Sequence, residues 1–372
     1  MTQLASLAAL ALALLLTACQ VTPDQDRAQA IFAAANAVFE EEQLVGLQAA
    51  VFSGGRVIDR LNLGFADLEH GVDVSDATRF EVASVNKTFT GLALLQLEEA
   101  GGIDLDLPIQ YYVPQFPVKP GGPVTPRLLA GGLGGVRHYT EEERTPEYYA
   151  AHYDDVLQAV SYFADDPLVA TPGDTEVYSS YGYVLLAAAI QQATGSRYQY
   201  HITETLLARL GLENTGFVDV RFPLPHRSRH YSFIDLYTRE AGEQLQVLPT
   251  RDHSVINGGG NMYSTASDLA TFGGQFLRPG FLSEAVLEQV YLPHFAADGT
   301  PTQFSDGWVL IGAGLSPRFL FFGGSYPGTT AFLAVYPDAD LAVAIVTNTW
   351  GRNGSNWTLP MLSTLGGILT SQ

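Results

Sequence analysis

The chain has 372 residues, of which 47% are apolar and 16% charged, a balance that suits a packed globular protein and excludes a disordered one. With 39 acidic and 19 basic residues, the formal net charge is -20. Such a surface repels phosphate backbones, so nucleic acid is not expected as a partner. Lys87 and Lys119 are the only lysines, and arginine fills the other 17 basic positions. Arginine keeps its proton in a protein, whereas lysine can be tuned to release it, so a retained lysine is informative.

At the N-terminus, the apolar run over residues 4–18 is too short to span a bilayer and fits a signal-peptide core. Cys19, the sole cysteine, follows Leu16-Thr17-Ala18, so no intrachain disulfide can form. The pattern resembles the lipobox of bacterial lipoproteins, in which the cysteine receives lipid and becomes the new N-terminus. Residues 1–6 lack the Lys or Arg that a signal peptide normally carries. The expectation is a signal peptide over 1–18, export to the periplasm or cell envelope, a lipid anchor at Cys19 as the only link to a membrane, and a polar tether over 19–27. The alternative is a buried apolar helix with an incidental cysteine.

A helical pattern covers 28–39. Residues 47–52 and 56–63 read as strands joined by the hairpin turn Ser53-Gly54-Gly55. An apolar helix follows over 84–100, stopped by Gly101-Gly102. Residues 114–135 are rich in Pro and Gly and read as loop. Helical patterns recur over 145–164, 181–193, 200–210, 267–277 and 283–290. Strands then return over 308–311, 318–322, 330–336 and 342–347, and an apolar segment over 359–369 closes the chain. The order predicts an α+β fold, an α/β sandwich. Its antiparallel sheet draws on about 28–80 and 300–372 and is flanked by helices, with a mostly helical inserted subdomain over about 84–295. Residues 28–372 then form one domain, with a ligand cleft between its parts.

Ser84-Val85-Asn86-Lys87 opens the apolar helix. Residues three apart share a helix face, so Ser84 and Lys87 can meet. A serine hydroxyl needs a base to become a nucleophile, and a lysine pressed against apolar surface loses charge stabilisation, which lowers its pKa. The bland reading is a helix N-cap serine with a surface lysine one turn later. His226 and His230 have i, i+4 spacing, but nearby Pro223 and Pro225 argue against a helix, and no Glu follows His226 as in a zinc hydrolase. Neither a metal nor a cofactor is expected.

Four segments extend the reading. They are the run 80–87 with 101–108 and Tyr112-Val113-Pro114 behind it; Pro172-Gly173 with Tyr178-Ser179-Ser180; Gly258-Gly259-Gly260 with Ser264-Thr265 and Asp268-Leu269; and Phe322-Gly323-Gly324 ahead of Pro327-Gly328. Together, over roughly 28–350, they resemble the serine beta-lactamase and penicillin-binding-protein family, in the branch of class C beta-lactamases, D-aminopeptidases, esterases and mitochondrial beta-lactamase-like proteins. The resemblance implies a serine hydrolase acting through an acyl-enzyme on a small-molecule or peptide-like substrate. Ser84 would be the nucleophile, with Lys87 and Tyr178 moving protons; which of these two is the first base stays open. The backbone N–H of Ser325, beyond Gly324, would join that of Ser84 as the oxyanion hole. Ser180 stands where many relatives carry Asn and can still bond a substrate carbonyl or Lys87. Phe322 stands where relatives carry Lys or His, and Gly131-Gly132 lie near where they often carry His. His138 reads as structural or cleft-lining. These losses, with Tyr111, Tyr112, Tyr139, Phe319, Phe321 and Phe322, suggest an apolar acyl group or ester rather than an anionic lactam. Two alternatives stay open: a non-catalytic penicillin-binding-like protein that holds cell-wall fragments or a protein partner, and a D-aminopeptidase, carboxypeptidase or weak beta-lactamase of the same mechanism.

Overall fold

The computed structural model describes residues 23–236, 238, 240–310 and 318–370. The segment 1–18 and Cys19 lie outside the described residues. Helix α1 (Pro23–Glu41) takes in the second half of the expected tether. Asp24 and Asp26 in its first turn complement the positive end of the helix dipole. The other described helices of nine residues or more are α2 (Asn86–Glu99), α3 (Ser180–Thr194), α4 (Ala266–Gly274) and α5 (Thr358–Thr370). None of the described helices is long and apolar enough to cross a membrane.

The described strands are β1 (Gly46–Ser53), β2 (Arg56–Asp67), β3 (Val72–Asp73), β4 (Phe80–Glu81), β5 (Gly216–Phe217), β6 (His230–Ile234) and β7 (Ala241–Leu248). They continue with β8 (Met262–Ser264), β9 (Phe304–Ser305), β10 (Trp308–Leu310), β11 (Leu320–Tyr326), β12 (Thr329–Tyr336), β13 (Leu341–Thr347) and β14 (Thr349–Trp350). The main sheet has the order β3-β2-β1-β13-β12-β11-β10-β9. It is antiparallel throughout, and the N-terminal strands meet the C-terminal ones where β1 pairs with β13. The α+β fold expected from the order of elements is the one observed.

Every residue of β1, β12 and β13 is buried, because both faces of the sheet are covered. Side chains alternate between faces with period two. Ala50, Phe52, Leu333 and Ala344 join one core with α2, α3 and α4. Leu47, Val51, Phe332, Val343 and Ile345 join a second core with α1 and α5. Each large side chain so buried contributes about 1.5–3 kcal/mol.

The helix expected over 145–164 is two short pieces, Pro146–Ala150 and Val156–Val160. Tertiary bonds hold the break: the Tyr153 amide donates to Ser254 Oγ at 2.8 Å, and His152 Nδ1 lies 2.6 Å from Asp252 Oδ2. Asp155 then caps the second piece through the Leu157 amide. The pattern over 200–210 contains a π-helical stretch, Thr203–Leu207. The strand expected over 318–322 runs on to Tyr326, through two glycines that weaken the strand signal. The region over 84–295 also carries the β6–β7 hairpin and strands β5 and β8, which form a small sheet with β4 in the order β4-β8-β5.

Helix α2 lies backbone to backbone on the turn between β9 and β10. A Cβ at Gly91 would overlap the Asp306 carbonyl, and one at Gly307 would approach Lys87 O at 2.5 Å. Gly91→Ala is expected to cost about 1–3 kcal/mol or more by overpacking. Gly102→Ala, whose Cβ would meet only Leu97 Cδ2 and Leu97 O at 3.4 and 3.5 Å, should stay within about 0.5 kcal/mol. Urea unfolding midpoints of the two variants check the contrast.

Candidate active site

Ser84 sits in the 3-10 turn Ala83–Val85, immediately ahead of α2. Ala83, with φ 45°, adopts the left-handed region that disfavours a side chain, a cost of about 1–2 kcal/mol. The bend aims Ser84 out of the end of β4 while α2 stays in the core. Lys87, one turn on, has no exposed surface.

Three oxygens surround the Lys87 nitrogen. Gly259 O lies at 2.6 Å, Ser180 Oγ at 2.9 Å and Ser84 Oγ at 3.2 Å. None of these hydrogen-bond partners is a carboxylate. Burial therefore pushes the Lys87 pKa well below its ordinary value. On the far side of Ser84, Tyr178 Oη lies 2.6 Å from Ser84 Oγ. The Lys87 nitrogen also stands 4.8 Å from the Tyr178 ring centre and 5.5 Å from that of Tyr183. Burial pushes the Tyr178 phenol up, partly offset by hydrogen bonds with Ser84 and Ser180.

Tyr178 and Ser180 flank Ser179, the N-cap of α3, whose Oγ accepts from the Gly182 amide at 2.8 Å and donates to Arg137 O at 2.7 Å. The Ser180 amide donates to His138 Nδ1 at 3.1 Å. An accepting Nδ1 places the proton of a neutral imidazole on Nε2. Burial, with Lys87 next, pushes His138 down to about 3, so it stays neutral. Its ring packs against Tyr139 and edge-on to Tyr178, with centroids 3.7 and 5.0 Å away.

Strand β11 closes the site. A Cβ at Gly324 would fall on the Val82 carbonyl and lie 2.9 Å from Ser84 N, so only glycine lets the strand approach the nucleophile turn this closely. Ser325 follows, and its Oγ accepts from Trp350 Nε1 at 2.6 Å. Phe322 lies one alternation away from Gly324 on the same face, is buried and belongs to the core shared with α2. Beside Tyr178 and this strand is a cavity of about 270 Å³, lined by Phe304, Val309, Phe321 and Phe322 among others.

Of the six aromatics singled out in the sequence, only Phe321 and Phe322 line that cavity; Tyr139 stacks nearby on His138. Tyr111 and Tyr112 line a different cavity, and Phe319 packs on Tyr336 near α1 and α5. Loops carry the two tyrosines elsewhere, and Phe319 lies just ahead of β11, beyond the reach of the cavity. Phe304 was not foreseen: its ring lies 5.7 Å from that of Tyr178, where a Cβ at Gly132 would come within 2.8 Å of it. Nor was the Gly259 carbonyl, since a backbone oxygen carries no side-chain signal. His226 and His230 do not share a helix: His230 lies on β6 and His226 in the preceding turn. No cluster of three ligating side chains able to hold a metal occurs among the described residues.

Beneath the nucleophile turn, Glu81 is buried and accepts from Arg227 and from the Tyr326 hydroxyl. Thr329 Oγ1 donates to Glu81 O at 2.6 Å. These bonds tie β4 to the end of β11 and the start of β12. Burial alone would raise the Glu81 carboxyl, but its basic neighbours His230, Arg227 and His253 and the Tyr326 bond outweigh it, holding the pKa at about 2. Burial also pushes His230 down to about 4 and His253 to about 3, which leaves Arg227 as the lasting cation.

Residues 28–363 match the family model described as beta-lactamase. The chain belongs to the beta-lactamase family. Family members of this type are serine hydrolases related to the penicillin-binding proteins. Over 297 residues the chain is 27% identical to the mitochondrial serine beta-lactamase-like protein of Homo sapiens, covering 62% of this chain and 53% of that one. The chain thus spans about half the length of this relative. Two solved structures share the fold. The octameric penicillin-binding protein homologue from Pyrococcus abyssi has a TM-score of 0.76 at 20% identity, covering 91% of this chain and 77% of that one. EstCE1, a hydrolase with promiscuous acyltransferase activity, has a TM-score of 0.75 at 20% identity, covering 93% of this chain and 99% of that one.

Glu81→Gln keeps the shape but leaves Arg227, 19% exposed, without its anion. The expected loss is about 3 kcal/mol at pH 7. Because the folded pKa of Glu81 is depressed, the wild-type advantage is full above the unfolded value of about 4.3 and disappears as the pH falls towards about 2. Denaturant unfolding of both proteins across that range tests the sign.

Proposed function

We propose that the chain hydrolyses esters of apolar acyl groups through an acyl-enzyme on Ser84. The observation that carries this reading is the buried Lys87 nitrogen, held between Gly259 O, Ser180 Oγ and Ser84 Oγ with no carboxylate bonded to it. A neutral amine has two protons and one lone pair. Gly259 O can only accept, and Ser180 Oγ can accept, so the lone pair is left for the Ser84 proton.

In this reading Lys87, rather than Tyr178, is the first base. Burial moves the lysine towards its neutral form and keeps the tyrosine as a phenol. Ser84 Oγ attacks the carbonyl carbon as its proton passes to Lys87. The oxygen of the tetrahedral intermediate takes hydrogen bonds from the Ser84 and Ser325 amides. Tyr178 gives its proton to the leaving alkoxide as the ester C–O bond breaks, and the Lys87 ammonium restores the phenol. Water then adds to the Ser84 ester by the same proton path in reverse and releases the acid.

The acyl preference rests on the cavity beside Tyr178, whose walls include Phe304, Val309, Phe321 and Phe322. With a buried phenylalanine at 322, no basic group stands there to receive a substrate carboxylate. This favours apolar acyl esters over anionic lactams and peptides. A fluorophosphonate should label the wild type once and leave Ser84→Ala unlabelled by intact mass; a folded wild type that neither labels nor cleaves esters would make it a binding protein instead.

Two further outcomes are expected. For p-nitrophenyl esters, kcat/KM should rise about fourfold per added CH₂, from about 0.8 kcal/mol of burial each, until the cavity is filled. Phe304→Ala should flatten that slope. A chromogenic cephalosporin turned over faster than every ester would sink the apolar preference. The second concerns stability. Lys87 binds its proton less tightly folded than unfolded, so folding becomes more favourable as pH rises from the folded pKa towards about 10.4. Lys87→Met lacks this dependence. The stability difference between the two should move towards wild type with rising pH, by at most about 1.4 kcal/mol per unit, in parallel denaturant titrations.

A further inference from the structure

A second cavity, of about 480 Å³, shares no lining residue with the one beside Tyr178. Its walls carry Tyr200, Phe217 and Tyr263, and Tyr200 is 63% exposed. Phe217 and Tyr263 are half-buried, so Tyr200 is the ring left in the open, and the three together give the wall flat aromatic surface that suits a planar apolar ligand.

The floor includes Asn261, which is only 2% exposed. Its Nδ2 donates to Val218 O and Asn257 Oδ1, both at 3.0 Å. Two acceptors on one nitrogen fix which way the amide points. Oδ1 is left buried with no hydrogen-bond partner among the described residues. A buried carbonyl oxygen without a donor is costly and calls for a partner. The backbone of the same residue touches the nucleophile helix, since the Asn261 amide donates to Asn86 Oδ1 at 3.1 Å.

The lining also carries two arginines, in different states. Arg221 is neutralised by Asp154 and Asp219, at 2.9 and 2.7 Å. Arg197 is exposed, and its guanidinium has no hydrogen bond or ion pair among the described residues. On a chain with a formal net charge of -20, an unpaired cation at a cavity stands out as a place for an anion.

We propose that this cavity is a second ligand site, for a small aromatic carboxylate that also carries a hydroxyl or amino donor. The ring packs against Tyr200, Phe217 and Tyr263, the carboxylate pairs with Arg197, and the donor satisfies Asn261 Oδ1. The probe is 4-hydroxyphenylacetate, titrated calorimetrically into the unmodified protein. Saturable one-to-one binding is expected. Arg197→Gln and Tyr200→Ala, both changes to exposed side chains that leave the core intact, should each weaken it by about tenfold. Phenylacetate, which lacks the phenol, should also bind about tenfold more weakly. Phe304→Ala, altered in the other cavity, should bind the probe as the wild type does. The proposal is overturned by absence of saturable binding, by unchanged binding in either Arg197→Gln or Tyr200→Ala, or by equal binding of phenylacetate. It is equally overturned if the Phe304 change weakens the probe, which would place the ligand beside Tyr178.

Discussion

The structure around Ser84 depends on one costly arrangement, a lysine amine taken wholly out of water with only neutral oxygens to receive it. A buried ammonium normally demands a carboxylate, and removing charge from water costs several kcal/mol without one. Here the hydrogen-bonding oxygens are a backbone carbonyl, Gly259 O, and two serine hydroxyls, Ser180 and Ser84. Each comes from a different part of the chain, so three segments must converge. The glycines of 258–260 let their backbone in: a Cβ at Gly258 would lie 2.7 Å from both Ala187 Cβ and Tyr183 O, and one at Gly259 3.0 Å from Ser180 O. Ser179 fixes the start of α3, so that Tyr178 and Ser180 arrive on either side of it. The contrast with Lys119 is instructive. That amine is only partly buried; its Nζ donates to Ala164 O and Asp166 O at 2.6 and 2.7 Å, and it fastens a loop.

A second constraint, at Gly324, joins this cluster to the sheet. The strand that brings Ser325 to the site must press its backbone on that of 82–84, and the absence of a side chain at Gly324 makes this contact. Glu81 holds the same two segments together from beneath, through Tyr326 and Thr329. Strand, turn and helix are therefore set by packing and by buried bonds before any substrate arrives. That is the preorganisation that a site built on developing charge requires. The strain at Ala83 is small beside these anchors.

Much of this was legible in the sequence. The Ser84–Lys87 spacing on an apolar helix, the returning strands and the Tyr178-Ser179-Ser180 segment placed the main groups, because side-chain periodicity and local motifs report directly on them. What escaped was set by tertiary structure. The 145–164 pattern looked continuous, yet Asp252 and Ser254 pull His152 and Tyr153 out of helical form. Gly323 and Gly324 hid the length of β11, since a strand signal rests on side chains. Gly259 O, the nearest partner of Lys87, is a backbone atom in a glycine run, and no residue pattern singles it out. Tyr111 and Tyr112 were read towards the substrate on composition alone, whereas their placement depended on loops that composition does not encode.

The departures from the family pattern at 131–132 and at 322 meet in one place. At Gly131 a Cβ would come within 2.6 Å of the His294 ring, and at Gly132 within 2.8 Å of Phe304. Two small residues thus make room for side chains that arrive from the distant segment around β9. Phe304 then lies near Tyr178, and Phe322 borders the same cavity from the strand. At 132 and 322 the loss of polar groups is therefore accompanied by a gain of apolar wall around the cavity beside Tyr178, whereas the space at 131 goes to the His294 ring, whose Nε2 lies 3.2 Å from Asp306 Oδ1. Apolar wall beside a nucleophile cluster whose lysine amine keeps three oxygen partners is what the proposed apolar ester substrate requires.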